Sequence, residues 1–356
     1  MSPRLVDFVK AYDVRGLVPD QLNPAVARAL GAAFVEIVAR PEGATGVVIG
    51  HDMRPSSPEL SRAFADGVTG AGLDAVLIGL VSTDGLYYAS GALNLPGAMF
   101  TASHNPAAYN GIKLCRAGAA PVGQDSGLAA VRDLAQSYLD GDVLPPAAHL
   151  PGVLSERDVL ADYGAFLRRL VPLAAIRPLR VVVDAGNGMA GLTVPAVLEG
   201  AAGLPPLPLE VRPLYFELDG TFPNHEANPL EPENLRDLQA AVVAQGADLG
   251  LAFDGDADRC FVIDERGEPV TPSAITALIA DREIARAVAD GSAPGDVRIV
   301  HNVITSASVP ALVADRGAVP VRTRVGHSFI KAEMARHNAV FGGEHSAHYY
   351  FRDFWF

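Results

Sequence analysis

Three carboxylates at alternate positions, Asp254, Asp256 and Asp258, stand in the run DGDADR (254–259), directly after the apolar LGLAF. On an extended backbone this alternation aims them the same way. Two unit charges 4 Å apart repel by about 4 kcal/mol at an effective dielectric near 20, so three that converge repel by roughly 12 kcal/mol. Either a cation sits among them or they splay into water. A hard divalent ion with oxygen ligands is the natural filler, and Mg2+ keeps coordination positions open for phosphate. Arg259 closes the run with a guanidinium suited to forked phosphate contacts. An acidic turn between two strands is the plainer alternative. An EF-hand is rejected: Glu265 falls at the twelfth position from Asp254, but Arg259 holds the sixth, where glycine is needed, and the flanks read as strands.

Two other polar loops carry chemistry-bearing residues. TASHNP (101–106) follows PGAMF, so Ser103 emerges at a strand end, with His104 beside it and Lys113 in the strand-like NGIKL. A serine acts as nucleophile or phosphoryl carrier only with an activating partner, and His104 and Lys113 are the local candidates. Taken alone, SHNP reads better as a capped turn with a solvent-facing histidine. GEHSAH (343–348) alternates Glu344, Ser346 and His348, a carboxylate, hydroxyl and imidazole suited to the hydroxyls of a sugar; the alternative is an edge strand with a polar outer face. GNGMAG (186–191) matches the dinucleotide glycine pattern after RVVVD. The proline-broken LPPLPLEV (204–211) supplies no acidic residue in the required strand context, so a tight turn is the reading. Cys115 and Cys260 are too far apart for a metal-pair motif and read as core filling.

These loops need elements to hold them. Short apolar runs alternate with helical patterns, which points to α/β architecture. Strands are expected at 47–50, 75–80, 98–100 and 111–115, a helix from near Pro58, and another over 127–141 ending in Gly141. The Pro-rich VLPPAAHLPG (143–152) breaks this pattern. A second unit opens with RVVVD, carries a helix over 231–246, and ends with two strands around DGDADR. After the turn DERGEP (264–269), a third unit starts with a helix over 272–291, with strands at 298–303 and within 339–353. The expected division is 1–150, 151–268 and 269–356. No sequence repeat is visible, yet each unit places one polar loop after an apolar strand, where open α/β sheets bind ligands. The expected fold is three similar α/β domains, each a mixed sheet flanked by helices, around a shared cleft.

At 356 residues with 49% hydrophobic and 19% charged, the chain is long enough for several domains and too apolar for disorder. The 28 Lys and Arg against 41 Asp and Glu give a formal charge of −13, which argues against nucleic acid and acidic membranes as partners. No apolar run approaches the roughly 18 residues of a membrane span. Asp7 and Lys10 interrupt any signal-peptide core, and two cysteines make no disulfide scaffold, so a reducing cytoplasm is the expected setting.

Taken together, the chain resembles the α-D-phosphohexomutase superfamily, most closely its phosphomannomutase/phosphoglucomutase branch. The resemblance runs through KAYDVRG (10–16), HDMRPSS (51–57), TASHNPAAYNGIK (101–113), DGDADR (254–259), GHSFIK (326–331) and GGEHSAHYYF (342–351), in the family's order. It implies that Ser103 carries a phosphoryl group and that Asp254, Asp256 and Asp258 hold Mg2+ together with it. It implies that Arg15 and Arg259 are active-site cations, that His104 and Lys113 assist proton transfer, and that His327 belongs to the site. Glu344, Ser346 and His348 become the sugar-reading residues.

The implied reaction interconverts hexose 1-phosphate and hexose 6-phosphate, of mannose or glucose, through phosphoserine and a hexose 1,6-bisphosphate that also serves as activator. Three departures from the family pattern stand out. Relatives continue into a fourth, phosphate-gripping domain where this sequence stops at Phe356; Ala347 replaces the usual glycine of the sugar loop; and Ile304 stands where several relatives place an active-site lysine. The first leaves two alternatives: a catalytically weak sugar-phosphate-binding core, and a phosphatase-like side activity in which water accepts the phosphoryl group from Ser103.

Overall fold

The computed structural model describes residues 3–355. The first unit comprises β1 (Val14–Leu17), α1 (Pro24–Phe34), β2 (Gly46–His51), α2 (Ser57–Gly70), β3 (Asp74–Leu80), α3 (Thr83–Leu93), β4 (Gly97–Phe100), β5 (Tyr109–Cys115), α4 (Leu128–Asp140) and β6 (Leu154–Glu156). The second holds α5 (Leu160–Leu170), β7 (Leu179–Asp184), α6 (Ala190–Leu198), β8 (Leu209–Leu214), α7 (Arg236–Gln245), β9 (Leu249–Phe253), β10 (Cys260–Ile263) and β11 (Pro269–Val270). The third holds α8 (Pro272–Ala289), β12 (Arg298–Asn302), α9 (Ser308–Asp315), β13 (Val319–Thr323), α10 (His327–His337), β14 (Phe341–Gly343) and β15 (Tyr349–Phe351).

Local chemistry explains the helix ends. Asn23 caps α1 by accepting from the Val26 N–H, Ser82 caps α3 through Gly85, and Thr271 caps α8 through Ala274, with Pro24 and Pro272 at first helical positions. Gly141 ends α4 in the left-handed region, as its place in the sequence suggests.

Three sheets result, ordered β1-β5-β4-β2-β3-β6, β11-β10-β9-β7-β8 and β13-β12-β14-β15. Each has a parallel core closed by antiparallel pairing: β4 with β5, β9 with β10, and β14 with β15. Helices cover both faces of each sheet. In the first, α1, α2 and α4 bury Leu30, Phe34, Phe64 and Val131 on one side, while Leu86 of α3 packs with Val48 and Met99 on the other. The first sheet includes β6 and the second includes β11, so both run a few residues past positions 150 and 268.

The prolines of LPPLPLEV end before β8, which is a strand despite the expectation of a broken segment. It lies at a sheet edge, where Pro213 forfeits no ladder bond that the sheet needs. GNGMAG is the turn between β7 and α6. A Cβ on Gly188 would lie 2.7 Å from the Gly255 carbonyl oxygen, and one on Gly191 would lie 2.1 Å from that of Phe216. The space a dinucleotide would need there is filled by the chain's own backbone.

Helices α1 and α2 touch backbone to backbone. A Cβ on Gly31 would lie 2.3 Å from the Phe64 carbonyl oxygen, and one on Gly67 would lie 2.1 Å from that of Arg28. Alanine improves helix propensity by roughly 1 kcal/mol, but here it forces apart two helices that cannot yield locally. Gly67→Ala is therefore expected to destabilise the protein by about 1–3 kcal/mol through overpacking. Urea unfolding checks this, and an unchanged or raised midpoint contradicts the packing argument.

Candidate active site

The three chemistry-bearing loops occupy one position in the architecture, each joining the antiparallel pair of its sheet: 101–108 between β4 and β5, 254–259 between β9 and β10, and 344–348 between β14 and β15. They converge on one cleft of about 630 Å³, whose walls include Arg15, His104, Lys113, Asp258, Arg259, His327, Glu344, Ser346 and His348.

Ser103 is the meeting point of the first two loops. Its backbone sits at φ 51°, an uncommon conformation for a non-glycine residue. Its N–H donates to Thr101 Oγ1 at 2.9 Å. Its hydroxyl donates to Asp254 Oδ2 at 2.6 Å and lies 3.2 Å from His104 Nδ1. Gly255 makes this approach possible, since a Cβ there would lie 2.5 Å from the Ser103 carbonyl oxygen.

The aspartates converge, but not by extension as the alternation suggested. The 254–259 segment is a tight turn with Ala257 at φ 58°, which folds the carboxylates to within 4.8 Å of one another. Lys113 from β5 answers the resulting repulsion, donating to Asp256 Oδ2 and Asp258 Oδ2, each at 2.6 Å. Thr83, at the start of α3, donates its hydroxyl to Asp256 Oδ2 at 2.6 Å and its N–H to the Asp256 carbonyl at 3.1 Å. Arg259 Nε lies 3.7 Å from Asp254 Oδ2.

Burial opposes charge throughout this cluster. It raises the Asp254 carboxyl well above its usual range, and the neighbouring Asp256 and Asp258 add to the rise. It raises Asp258 as well, but Lys113, His348 and Arg259 outweigh it and hold that carboxyl well below its usual range. Burial lowers Lys113, yet Asp256 and Asp258 more than reverse this. Burial together with Arg259 and Arg15 lowers His104 to about 3, so its ring is neutral at pH 7.

The third loop is a turn rather than an extended segment: the Glu344 N–H bonds to the His348 carbonyl at 3.0 Å, with Ala347 at φ 65°. The edge-strand alternative fails because Glu344 is buried and held by three donors of its own domain. Its carboxylate accepts from Asn302 Nδ2 at 3.0 Å, the Gly326 N–H at 3.1 Å and the Tyr350 hydroxyl at 2.8 Å. His348 links the loops, with Nδ1 at 2.9 Å from Ser346 Oγ and Nε2 at 3.2 Å from Asp258 Oδ1. One connected polar network thus runs from Ser103 to Glu344.

Lys113 lies among the aspartates, with no hydrogen bond to Ser103. Arg15 and His327 stand at the cleft wall. Arg15 bonds Asp13 at 2.8 Å and Asn105 at 2.6 Å, and His327 packs edge-on against Tyr12 with ring centres 5.3 Å apart.

Residues without an assigned role in the sequence reading build the frame. Arg54, 1% exposed, donates to three carbonyls of the serine loop, Ser103 at 2.9 Å, Asn105 at 2.7 Å and Pro106 at 2.9 Å, and to that of Tyr109, which follows it, at 2.9 Å. Asp52, 3.3 Å away, balances its charge. The motif HDMRPSS marked this segment without disclosing its target. Met189 N–H plays the corresponding part for the acidic loop, donating to the Gly255 carbonyl at 2.9 Å, and Asn302 does so for Glu344. In each domain, a residue at the end of the central parallel strand or in the loop after it braces the loop that carries the chemistry. Tyr350 lay within the motif GGEHSAHYYF without an assigned role, and Thr83 gave no sequence signal.

The acidic loop fits a divalent cation. Its donors are hard oxygens, and Asp256 Oδ1 is buried without a hydrogen-bond partner, an unmet acceptor that a cation would satisfy.

The sequence matches the family descriptions "Phosphoglucomutase/phosphomannomutase, alpha/beta/alpha domain I" over residues 7–138, domain II over 161–267 and domain III over 271–356. The chain belongs to the phosphoglucomutase/phosphomannomutase family. It is 40% identical over 346 residues to phosphohexose mutases of Xanthomonas campestris pv. campestris, covering 97% of this chain and 72% of the relative. It is 39% identical over 349 residues to a phosphomannomutase of Salmonella typhimurium, covering 97% of this chain and 73% of the relative. The crystal structure of a phosphoglucomutase/phosphomannomutase family protein from Burkholderia thailandensis superposes with a TM-score of 0.85 at 33% identity, covering 98% of this chain and 73% of that one. A putative phosphomannomutase from Thermus thermophilus gives 0.81 at 26% identity, covering 99% and 76%. The protein is accordingly an isomerase of the mutase kind, built of three α/β domains. No helix among the described residues is long and apolar enough to cross a membrane.

Two outcomes test this arrangement. Arg54→Met leaves Asp52 buried without its counter-charge, which costs about 3–5 kcal/mol, and denaturant unfolding reads that loss. Thr83→Val removes a hydrogen bond that orients Asp256 and is expected to weaken divalent-metal binding about 10–100-fold, as read by calorimetric titration. Wild-type metal affinity in Thr83→Val contradicts the assigned orienting role.

Proposed function

We propose that this mutase interconverts hexose 1-phosphate and hexose 6-phosphate, of mannose or glucose, with Ser103 as phosphoryl carrier and a hexose 1,6-bisphosphate as intermediate and activator. The observation carrying the reading is the 2.6 Å bond from the Ser103 hydroxyl to Asp254 Oδ2. It joins the serine loop of domain I to the acidic loop of domain II. The three domains that contribute to this cleft divide near residues 150 and 268.

Asp254, Asp256 and Asp258, with the Ser103 oxygen, would hold Mg2+. When bound, the ion neutralises charge on the transferring phosphoryl group. The residues supply positioning and further neutralisation, the main protein contributions to phosphoryl transfer. In the forward step the bond from Ser103 oxygen to phosphorus breaks as one forms to the free sugar hydroxyl, whose proton leaves to a base in the cleft. In the return step Ser103 attacks the other phosphate of the bisphosphate and loses its own proton. His104 Nδ1, 3.2 Å away, is the assigned acceptor, as Asp254 would be one of the residues holding the cation. Lys113 keeps Asp256 and Asp258 in place and gives the cleft a positive wall, which Arg15 and Arg259 extend toward phosphate. Glu344, Ser346 and His348 read sugar hydroxyls, and His327 closes the wall beside them.

Ser103→Ala is expected to reduce interconversion of mannose 1- and 6-phosphates to background, assayed with Mg2+ and a trace of bisphosphate. Intact mass of the wild type after bisphosphate treatment should show an adduct of about 80 Da that is absent in the variant. Wild-type turnover in Ser103→Ala, or an identical adduct, would sink the phosphoserine role. Chelation of divalent metal should abolish turnover, and Mg2+ should restore it.

A further inference from the structure

Helix α3 of domain I is gripped by both other domains. Its first residue, Thr83, holds Asp256 of domain II. One turn further on, the Tyr87 ring receives Lys331 of domain III, whose Nζ lies 4.6 Å from the ring centre. One turn beyond Tyr87, the Trp355 indole of domain III lies against Gly91, where a Cβ would come within 2.2 Å of Trp355 Cε2. Trp355 also stacks on Phe166 at 5.2 Å and meets Tyr88 at 6.2 Å.

Lys331 is only 5% exposed and crosses from α10 to donate to the Ala119 carbonyl of domain I at 2.8 Å. A buried ammonium is costly unless hydrogen-bonded and electrostatically compensated. The Tyr87 face, the Ala119 carbonyl and the nearby Asp84 offer that compensation in domain I. Burial nevertheless lowers Lys331 to about 8, which still leaves it mostly charged at pH 7. His327 is four residues earlier on the same helix, and therefore on the same face, where it packs on Tyr12 of domain I. The Gly326 N–H that opens this helix bonds Glu344. The seat of Lys331 thus fixes a helix whose start holds the third loop.

We propose that Lys331 is a positioning residue: by seating its ammonium on Tyr87 and the Ala119 carbonyl, it sets where the sugar-reading loop stands relative to Ser103. Without this seat, α10 and the Glu344 turn shift as one body while the serine and acidic loops stay joined through Ser103 and Asp254. Sugar recognition then suffers before phosphoryl chemistry does. The inference rests on the mutase reading of the cleft.

Lys331→Met in the full chain tests it. KM for the hexose phosphate should rise about tenfold, with a smaller fall in kcat. Trp355, the single tryptophan, should become more accessible to acrylamide quenching without substrate. Lys331→Arg, which keeps the charge and can reach the ring and carbonyl, should recover most of the KM effect. Tyr87→Leu removes the seat from the other side, and the double variant should be no worse than the worse single. A merely structural lysine would lower the active fraction and leave KM unchanged. Wild-type KM in Lys331→Met, or additive effects in the double variant, overturns the proposal. Should Lys331→Met fail to fold, Lys331→Arg and Tyr87→Leu decide it: the proposal is overturned if Tyr87→Leu keeps both wild-type KM and wild-type quenching. Absence of turnover in the wild type would instead defeat the mutase reading, while the quenching measurement would still report on the seat.

Discussion

Mutual repulsion of three carboxylates on one short turn is the constraint around which the molecule is organised. Asp254, Asp256 and Asp258 come within 4.8 Å of one another in a place that excludes most water, where charges interact more strongly than at the surface. Domain II does not answer this charge alone. Lys113 and Thr83 arrive from domain I and His348 from domain III. The acidic loop is therefore compensated by side chains from all three domains.

The same local device serves all three domains. A parallel strand ends in a bracing loop, and an adjacent antiparallel pair carries the chemistry in its connection. The braces differ in kind: Arg54 spends its guanidinium on four carbonyls, the Gly188 turn offers the Met189 N–H, and Asn302 offers a side-chain amide. All of them hold a short polar loop in backbone conformations it would not keep unaided, Ser103 at φ 51° and Ala347 at φ 65° among them. Strain of this sort persists only where surrounding structure over-determines it. No repeat shows in the sequence because the device is defined by backbone geometry and tolerates different side chains.

The alternation of apolar runs with polar loops was enough to locate the strands β2 to β5, the helices α2, α4 and α8, and the three loops, since each depends on local periodicity and turn chemistry. The edge strand β8 was hidden because its flanking prolines are tolerated only at an edge, and edge position is a property of the sheet. Asp254, Asp256 and Asp258 were legible as a cation-seeking cluster. The way they converge was not, because a turn and an extended strand bring alternate residues together by different routes.

Residue type and order along the chain determined which groups are available: a serine in a turn, hard oxygen donors, arginines beside them, and a loop bearing a carboxylate, a hydroxyl and an imidazole. What each group does was decided by contacts between residues far apart in sequence. Lys113, ten residues from Ser103, turns to Asp256 and Asp258 instead; Arg54 serves backbone rather than phosphate; and Lys331 leaves its own domain for the ring of Tyr87. Buried charges seek the partner that lowers their cost of desolvation most, and only packing of the three domains determines which partner is within reach.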